Sequence, residues 1–376
     1  MNVIKMGKKL VIKIGSSTLT TSESKIDYAY LESIVCQVAK VKELGWQPVI
    51  VTSAAIACGL EALGITKRPE DFPSLQAAAS VGQSALSAAY ANAFRAYDIT
   101  SSLVLLTRRD TADREAYLHA RDTFLKLLEL GVVPVVNEND TVSVEQIRFG
   151  DNDTLAALVA CLIGADLTIM LSDIDGLFDK NPQLYDDALL ISHVDLITQD
   201  LMRAAGGATT TVGSGGMITK MTAARVLMAA GIDMIICNGR KPNIIVDAVL
   251  GNFVGTRFSA ERKAHEITPK KLWIALGDSV RGSVVVDDGA KNALIHQGRS
   301  LLCVGIAAVS GDFESDDIID VKDFEGNIIA RGKTNASSDE LSLACGLSQE
   351  ALKANKILKS LAHKSIIHRD DLVVFE

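Results

Sequence analysis

The chain lacks most of the features that would make its chemistry easy to place. Its six cysteines, at positions 36, 58, 161, 237, 303 and 345, form no CxxC pair. That removes any metal cage built on cysteine and leaves free thiols in a reducing compartment. There is no excess of basic residues: 38 Lys and Arg face 46 Asp and Glu, a formal charge of −8 with a pI near 5.4. Neutralising a nucleic-acid backbone needs a basic surface, so the balance argues against that partner. The longest apolar run, from Leu155 to Leu171, is broken by Asp166 and reads as a helix followed by a strand, not a membrane span. The N-terminus MNVIKMGKKLVIKIG has no apolar signal core and no small-residue cleavage site, which points to a cytoplasmic protein. No repeat or low-complexity segment interrupts the 376 residues.

Known site signatures are missing too. There is no GxxxxGK followed by Ser or Thr, no GxGxxG after a strand, and no GxSxG elbow. None of the six histidines falls in a polar cluster, so a hydrolytic triad has no base.

What is present is an alternation. From about residue 9 to 260, short apolar runs at Lys9–Ile14, Pro48–Thr52, Leu103–Leu106, Val132–Val136, Leu167–Leu171 and Met234–Cys237 read as strands. Helical patterns lie between them at 28–44, 74–96, 114–130, 153–164 and 219–230. Near-continuous apolar strands separated by helices predict a mostly parallel sheet covered on both faces, a three-layer α/β/α sandwich. The polar segment 261–271 reads as a linker. Beyond it a small, mainly β unit over 272–376 is expected, with strands at Trp273–Leu276, Ser283–Asp287, Ser300–Leu302, Ile318–Lys322 and Ile328–Arg331 and a short helix near Ala290–Gln297.

Polar residues follow the strands. The first ends in Lys13-Ile14-Gly15-Ser16-Ser17, the second in Thr52-Ser53, the fourth in Asn137-Glu138-Asn139-Asp140, the fifth in Ser172-Asp173. Ligands of open parallel sheets bind beyond the carboxyl ends of the strands. A second acidic turn, Phe149-Gly150-Asp151-Asn152-Asp153, lies just downstream of the first. The segment from Gly206 to Met217, rich in glycine and hydroxyls, leads into a helix carrying Lys220, and a helix start without bulky side chains suits phosphate oxygens. Each feature has a plainer reading. Lys13 could be an edge residue, Ser53 and Asp153 could be helix caps, and the glycine run could be an ordinary loop. Together, two lysines, a glycine loop and several Asp and Asn residues at one sheet edge indicate phosphoryl transfer. A carboxylate acceptor, ionised at pH 7, would need no general base.

The stretches VIKIGSSTLT, VTSAAIACG, AAASVGQ, LLTRRD, VVPVVNENDTV, FGDNDTLAALVA, LSDIDGLF and GSGGMITKMTAA, in that order, resemble the glutamate 5-kinases of the amino acid kinase superfamily. The C-terminal VDDGAKNALIHQGRSLLCVGIAAVSGDF resembles a PUA domain. The resemblance implies an amino acid kinase domain over 1–260, and transfer of phosphate from ATP to L-glutamate to give L-glutamyl 5-phosphate, the first step of proline synthesis. It implies that Lys13 and Lys220 stabilise the transferring group and that Asp153 holds them. Ser53, Asp140, Asp151 and Asn152 would bind glutamate. Lys13, Gly15, Ser172, Asp173 and the run Ser214, Gly215, Gly216, Met217, Ile218, Thr219 and Lys220 would contact ATP. Mg²⁺ would bridge phosphates mostly through water, with no protein ligand named. A homo-oligomer and feedback inhibition by proline are also implied. One departure stands out: the family pattern TSGAIAAG has Ala54 here in place of glycine, with activity expected to survive. Two other readings compete: a kinase of another carboxylate or carbamate acceptor, and an RNA-binding regulator with a vestigial kinase domain.

Overall fold

The computed structural model describes residues 7–23, 25–107, 114–142, 152–205, 216–260, 269–276, 280–355, 358–362 and 364–375. The chain divides into two compact units, Met1–Asp195 with Arg203–Ala264, and Leu196–Met202 with His265–Glu376.

The first unit is built on an eight-stranded sheet. Its strands are β1 (Lys9–Ile14), β2 (Gln47–Val51), β3 (Ser101–Leu106), β4 (Val133–Glu138), β5 (Leu167–Ser172), β6 (His193–Val194), β7 (Asp233–Asn238) and β8 (Thr256–Phe258). They lie in the order β3-β4-β2-β1-β5-β7-β8-β6. Neighbours are parallel except β7 and β8, which run antiparallel. The six expected strands are all present, each within two residues of its expected ends. The expected helices are present as Tyr28–Glu43, Phe72–Arg95, Arg114–Glu129, Asp153–Ile163 and Met217–Ala229.

The apolar runs explain the sheet's place. In β1, Leu10, Val11, Ile12 and Ile14 are wholly buried, so both faces of this central strand are covered. Fully burying an aliphatic side chain of that size contributes about 1.5–3 kcal/mol. Two sets of helices supply the cover. Tyr28–Glu43 packs with Phe72–Arg95 and with Ile244–Leu250, while Asp153–Ile163 packs with Met217–Ala229 and Arg114–Glu129. The three-layer α/β/α sandwich follows.

A short helix absent from the sequence reading, Ala55–Ala62, starts directly after β2 and lies against Phe72–Arg95. The two approach so closely that a Cβ on Gly59 would overlap the carbonyl of Ala78, and one on Gly82 the carbonyl of Ala55. The cap residue of the short helix, Ala54, has φ 75° and ψ 14°. This left-handed conformation is one that L-residues other than glycine rarely adopt.

The second unit carries a six-stranded sheet: β9 (Val280–Val286), β10 (Leu301–Leu302), β11 (Ile306–Gly311), β12 (Ile318–Lys322), β13 (Ile328–Thr334) and β14 (Ser365–Val374), in the order β10-β14-β13-β12-β9-β11. Its own core includes Val284, Phe313, Ile319 and Ile367. The expected strand at Trp273–Leu276 is instead the end of a helix, Pro269–Leu276. Proline at the first helical position has a fitting φ and loses no needed N–H, so the helix begins inside the stretch read as linker.

Candidate active site

Four neighbouring parallel strands, β4, β2, β1 and β5, end at the same sheet edge, and the polar residues that follow them gather there. Lys13, the fifth residue of β1, is not an edge lysine: it is 4 % exposed. Its Nζ lies 2.7 Å from Asp153 Oδ1. Lys220, in the first turn of Met217–Ala229, is also buried, and its Nζ lies 3.0 Å from Asp153 Oδ2. Thr219 Oγ1 donates to the same Oδ2 at 2.9 Å.

Asp153 is the first residue of the helix Asp153–Ile163 and is 0 % exposed. A buried carboxylate is costly unless it is paired and hydrogen-bonded. Here both oxygens are engaged, and the helix N-terminus adds favourable partial charge. Neither Asp153 nor Ser53 is a helix cap. The cap positions are Asn152 and Ala54, and neither caps its helix through a side-chain hydrogen bond. Both plainer readings therefore fail, and so does that of Lys13.

The amide of Asn152 explains its missing cap. Asn152 Nδ2 donates to the carbonyl of Thr52 at 2.5 Å and to Asn137 Oδ1 at 2.8 Å, with Ser53 Oγ 3.3 Å away. Asn137 Nδ2 donates in turn to Gln83 Oε1 at 2.9 Å. Behind them the hydroxyls of Thr52 and the wholly buried Tyr90 are 2.9 Å apart. Asp140 follows β4, half-buried, and burial pushes its carboxyl up to about 6 against the weaker pull of Arg68. It is an acid within reach of the physiological range.

On the other side of β1, Ser172 Oγ donates to Asp173 Oδ1 at 3.1 Å; Ser172 is buried and Asp173 exposed. Asp175, two residues on, is held by Lys241 at 2.8 Å and by Asn238 Nδ2 at 3.0 Å. The hydrogen bond from Lys241, chiefly, keeps its carboxyl below the ordinary range. Gly15 leaves the space beside Lys13 clear: a Cβ there would stand 3.7 Å from Lys13 Nζ. Gly216, Met217 and Ile218 open the helix that carries Lys220. Asp151, Ser214 and Gly215 lie outside the described residues.

The structure thus brings together Lys13, Asp153, Thr219 and Lys220 as one cluster, and Ser53 and Asn152 as another, joined through the Asn152–Asp153 peptide. Sequence reasoning missed Gln83 as a member and left Asn137 as part of a turn. The signal for Asn137 was its place at the end of a buried strand, where a polar side chain needs a partner. The described residues contain no helix long and apolar enough to cross a membrane. The six cysteines are free, and burial pushes Cys58, Cys161 and Cys237 up to about 12, far from reactivity.

Residues 8–238 match the model of the amino acid kinase family, and 282–356 match the PUA domain. The glutamate 5-kinase of Caldanaerobacter subterraneus subsp. tengcongensis is 42% identical over 368 residues, 98% of each chain. That of Carboxydothermus hydrogenoformans is 43% identical over 378 residues, 100% of this chain and 99% of the relative. This chain belongs to the glutamate 5-kinase family. The family likeness reaches from the kinase unit through the PUA domain, so both units of the chain are shared with other glutamate 5-kinases.

Proposed function

We propose that this protein transfers the γ-phosphoryl group of ATP to the side-chain carboxylate of L-glutamate, giving L-glutamyl 5-phosphate and ADP, the first step of proline synthesis. The observation that carries the reading is the Lys13–Asp153–Lys220 cluster at the carboxyl edge of the sheet, beside the buried amides of Asn137 and Asn152.

A carboxylate oxygen of glutamate forms the new P–O bond as the bond to ADP breaks. The acceptor is ionised at pH 7, so no proton has to be removed. An anion must approach a polyanion, and the barrier falls if fixed positive charge meets the transferring group. Lys13 and Lys220 supply two ammonium groups. Asp153 holds them converged on one point, which orients fixed positive charge toward the phosphates. Ser53, Asn152, Asp140 and Asp151 form the glutamate pocket. Gly15, Ser172, Asp173 and the run Ser214–Lys220 would bind the nucleotide.

Mg²⁺ would accompany the nucleotide phosphates, since Asp153 has its oxygens turned to Lys13, Lys220 and Thr219. Bound to the nucleotide, the metal adds positive charge at the phosphate oxygens.

The reading extends to a kinase domain over 1–260 and a PUA-like domain over 272–376, to a cytoplasmic homo-oligomer, and to proline competing for the glutamate pocket. Incubation with ATP, Mg²⁺, glutamate and hydroxylamine tests it. Glutamyl hydroxamate is the expected product. No hydroxamate, or a higher kcat/KM with N-acetylglutamate or carbamate in an ADP-release assay, would overturn it.

A further inference from the structure

The amides behind the pocket form a chain whose polarity is dictated by one backbone atom. The carbonyl oxygen of Thr52 can only accept, so Asn152 must turn its Nδ2 toward it, which it does at 2.5 Å. The other proton of that nitrogen goes to Asn137 Oδ1, at 2.8 Å. Asn137 is therefore obliged to present Nδ2 to Gln83, which accepts through Oε1 at 2.9 Å. Gln83 is left with its own Nε2, which has no hydrogen-bond partner among the described residues. The residue is 8 % exposed. Buried polar groups are as a rule paired, so a donor left over at the end of a satisfied chain calls for an acceptor from outside the protein.

Position supports this. Gln83 follows Gly82, whose backbone lies against Ala55 and Gly59 of the helix that begins just after Ser53 and Ala54. The orphan donor thus stands near the start of the Ala55–Ala62 helix, at the end of the amide chain remote from Asp153. If the reacting carboxylate of glutamate lies at the lysine end, its other carboxylate lies away from it. A carboxylate is an acceptor only.

We propose that Gln83 is a substrate-binding residue whose Nε2 donates to the α-carboxylate of glutamate, while its Oε1 accepts from Asn137. The proposal rests on the functional reading above.

Gln83→Glu separates the two roles. The introduced carboxyl always keeps an oxygen for Asn137, but it keeps a donor only while protonated. Across pH 6.5 to 8.5, where an ordinary glutamate carboxyl is ionised, the KM for glutamate of this variant is expected to stand at least tenfold above wild type. The KM for ATP is expected to stay within about twofold, and wild-type KM for glutamate to stay level over the same range. A variant whose KM for glutamate matches wild type at every pH overturns the proposal, because a purely structural acceptor is still in place. If that variant does not fold, Gln83→Met is titrated calorimetrically with glutamate and, separately, with ATP. At least tenfold weaker glutamate binding with unchanged ATP binding supports the proposal; equal weakening of both overturns it. A wild-type enzyme that forms no glutamyl hydroxamate overturns the parent reading and this one with it. An active wild type whose Gln83→Glu variant keeps the wild-type KM for glutamate at every pH overturns this one alone.

Discussion

Replacing Asp153 by asparagine keeps the shape of the side chain and removes its charge, which makes Asp153→Asn the sharpest test of the lysine cluster. In the native structure the carboxylate is wholly buried, with Lys13 at 2.7 Å on one oxygen and Lys220 at 3.0 Å on the other. Without it the two buried ammonium groups repel; at an effective dielectric constant of about 20, unit charges about 5 Å apart repel by about 3 kcal/mol. Removing one partner of a buried ion pair generally costs about 3–5 kcal/mol, a figure that includes this repulsion. For a unit of this size each kcal/mol moves Tm by about 2–4 °C, so the first unit is expected to melt about 6–20 °C earlier than wild type at neutral pH. Nucleotide phosphates would restore the missing negative charge. The deficit is therefore expected to shrink when both proteins are melted in saturating ATP analogue. Differential scanning fluorimetry with and without nucleotide reads both effects. An Asp153→Asn protein melting within about 2 °C of wild type in the absence of nucleotide would refute the coupling. A full deficit that persists with nucleotide bound would refute the claim that the lysines meet its phosphates.

Lys220→Ala removes a charge used in the transition state and is expected to lower kcat/KM by about 10²–10³-fold, read in the hydroxamate assay. Ala54→Gly relieves a left-handed alanine at φ 75°. That strain is about 1–2 kcal/mol, partly offset by the looser unfolded chain, so a net gain of about 0.5–1 kcal/mol is expected, seen as a higher urea midpoint at unchanged slope. Asp140, raised by burial from the ordinary 3.8 to about 6, binds its proton more tightly folded than unfolded. Ligand-free stability is therefore expected to fall as pH rises from about 4 to 6 and then level off, the sign set by the folded state holding more protons in that window. If the ionised form pairs with the substrate ammonium, calorimetry near pH 6 in buffers of different ionisation enthalpy shows proton release on glutamate binding, and KM for glutamate rises below pH 6. Gly82→Ala drives a methyl group into the Ala55 carbonyl. It is expected to destabilise the first unit by about 3 kcal/mol or to prevent soluble expression.

The parts of this fold that were legible in the chain are those with a long pattern. The strands β1 to β5 and β7 and the five longer helices declare themselves by apolar period; Lys13 and Lys220 stand out beside their glycines, whereas the place of Asp153 with them followed only from the family resemblance. Short elements were not legible. Trp273–Leu276 is four apolar residues, too few to separate a strand from a helix end, and only Pro269 signalled the helix. Ala55–Ala62 was hidden because Gly59 reads as a breaker, whereas it is there to admit Ala78. The helix Ser338–Ala344 had a readable start in the capping box of Ser337 and Glu340, which went unused. β14 was missed because the charges at Arg369, Asp370 and Asp371 interrupt its apolar ends. In the site, Gln83 closes the matching stretch AAASVGQ but carried no assigned role: it sits mid-helix, and only the fold brings it against Asn137, 54 positions away.

The main-chain origin of the amide chain bears on how the protein ages. Spontaneous deamidation of Asn137 would remove the nitrogen that Gln83 accepts from, and deamidation of Asn152 would turn a carboxylate oxygen on the Thr52 carbonyl. Neither fault could be cured by rotating a side chain, since the carbonyl cannot change its role. Stored preparations would then lose glutamate affinity while still binding nucleotide, and the damaged fraction would separate on an anion-exchange column.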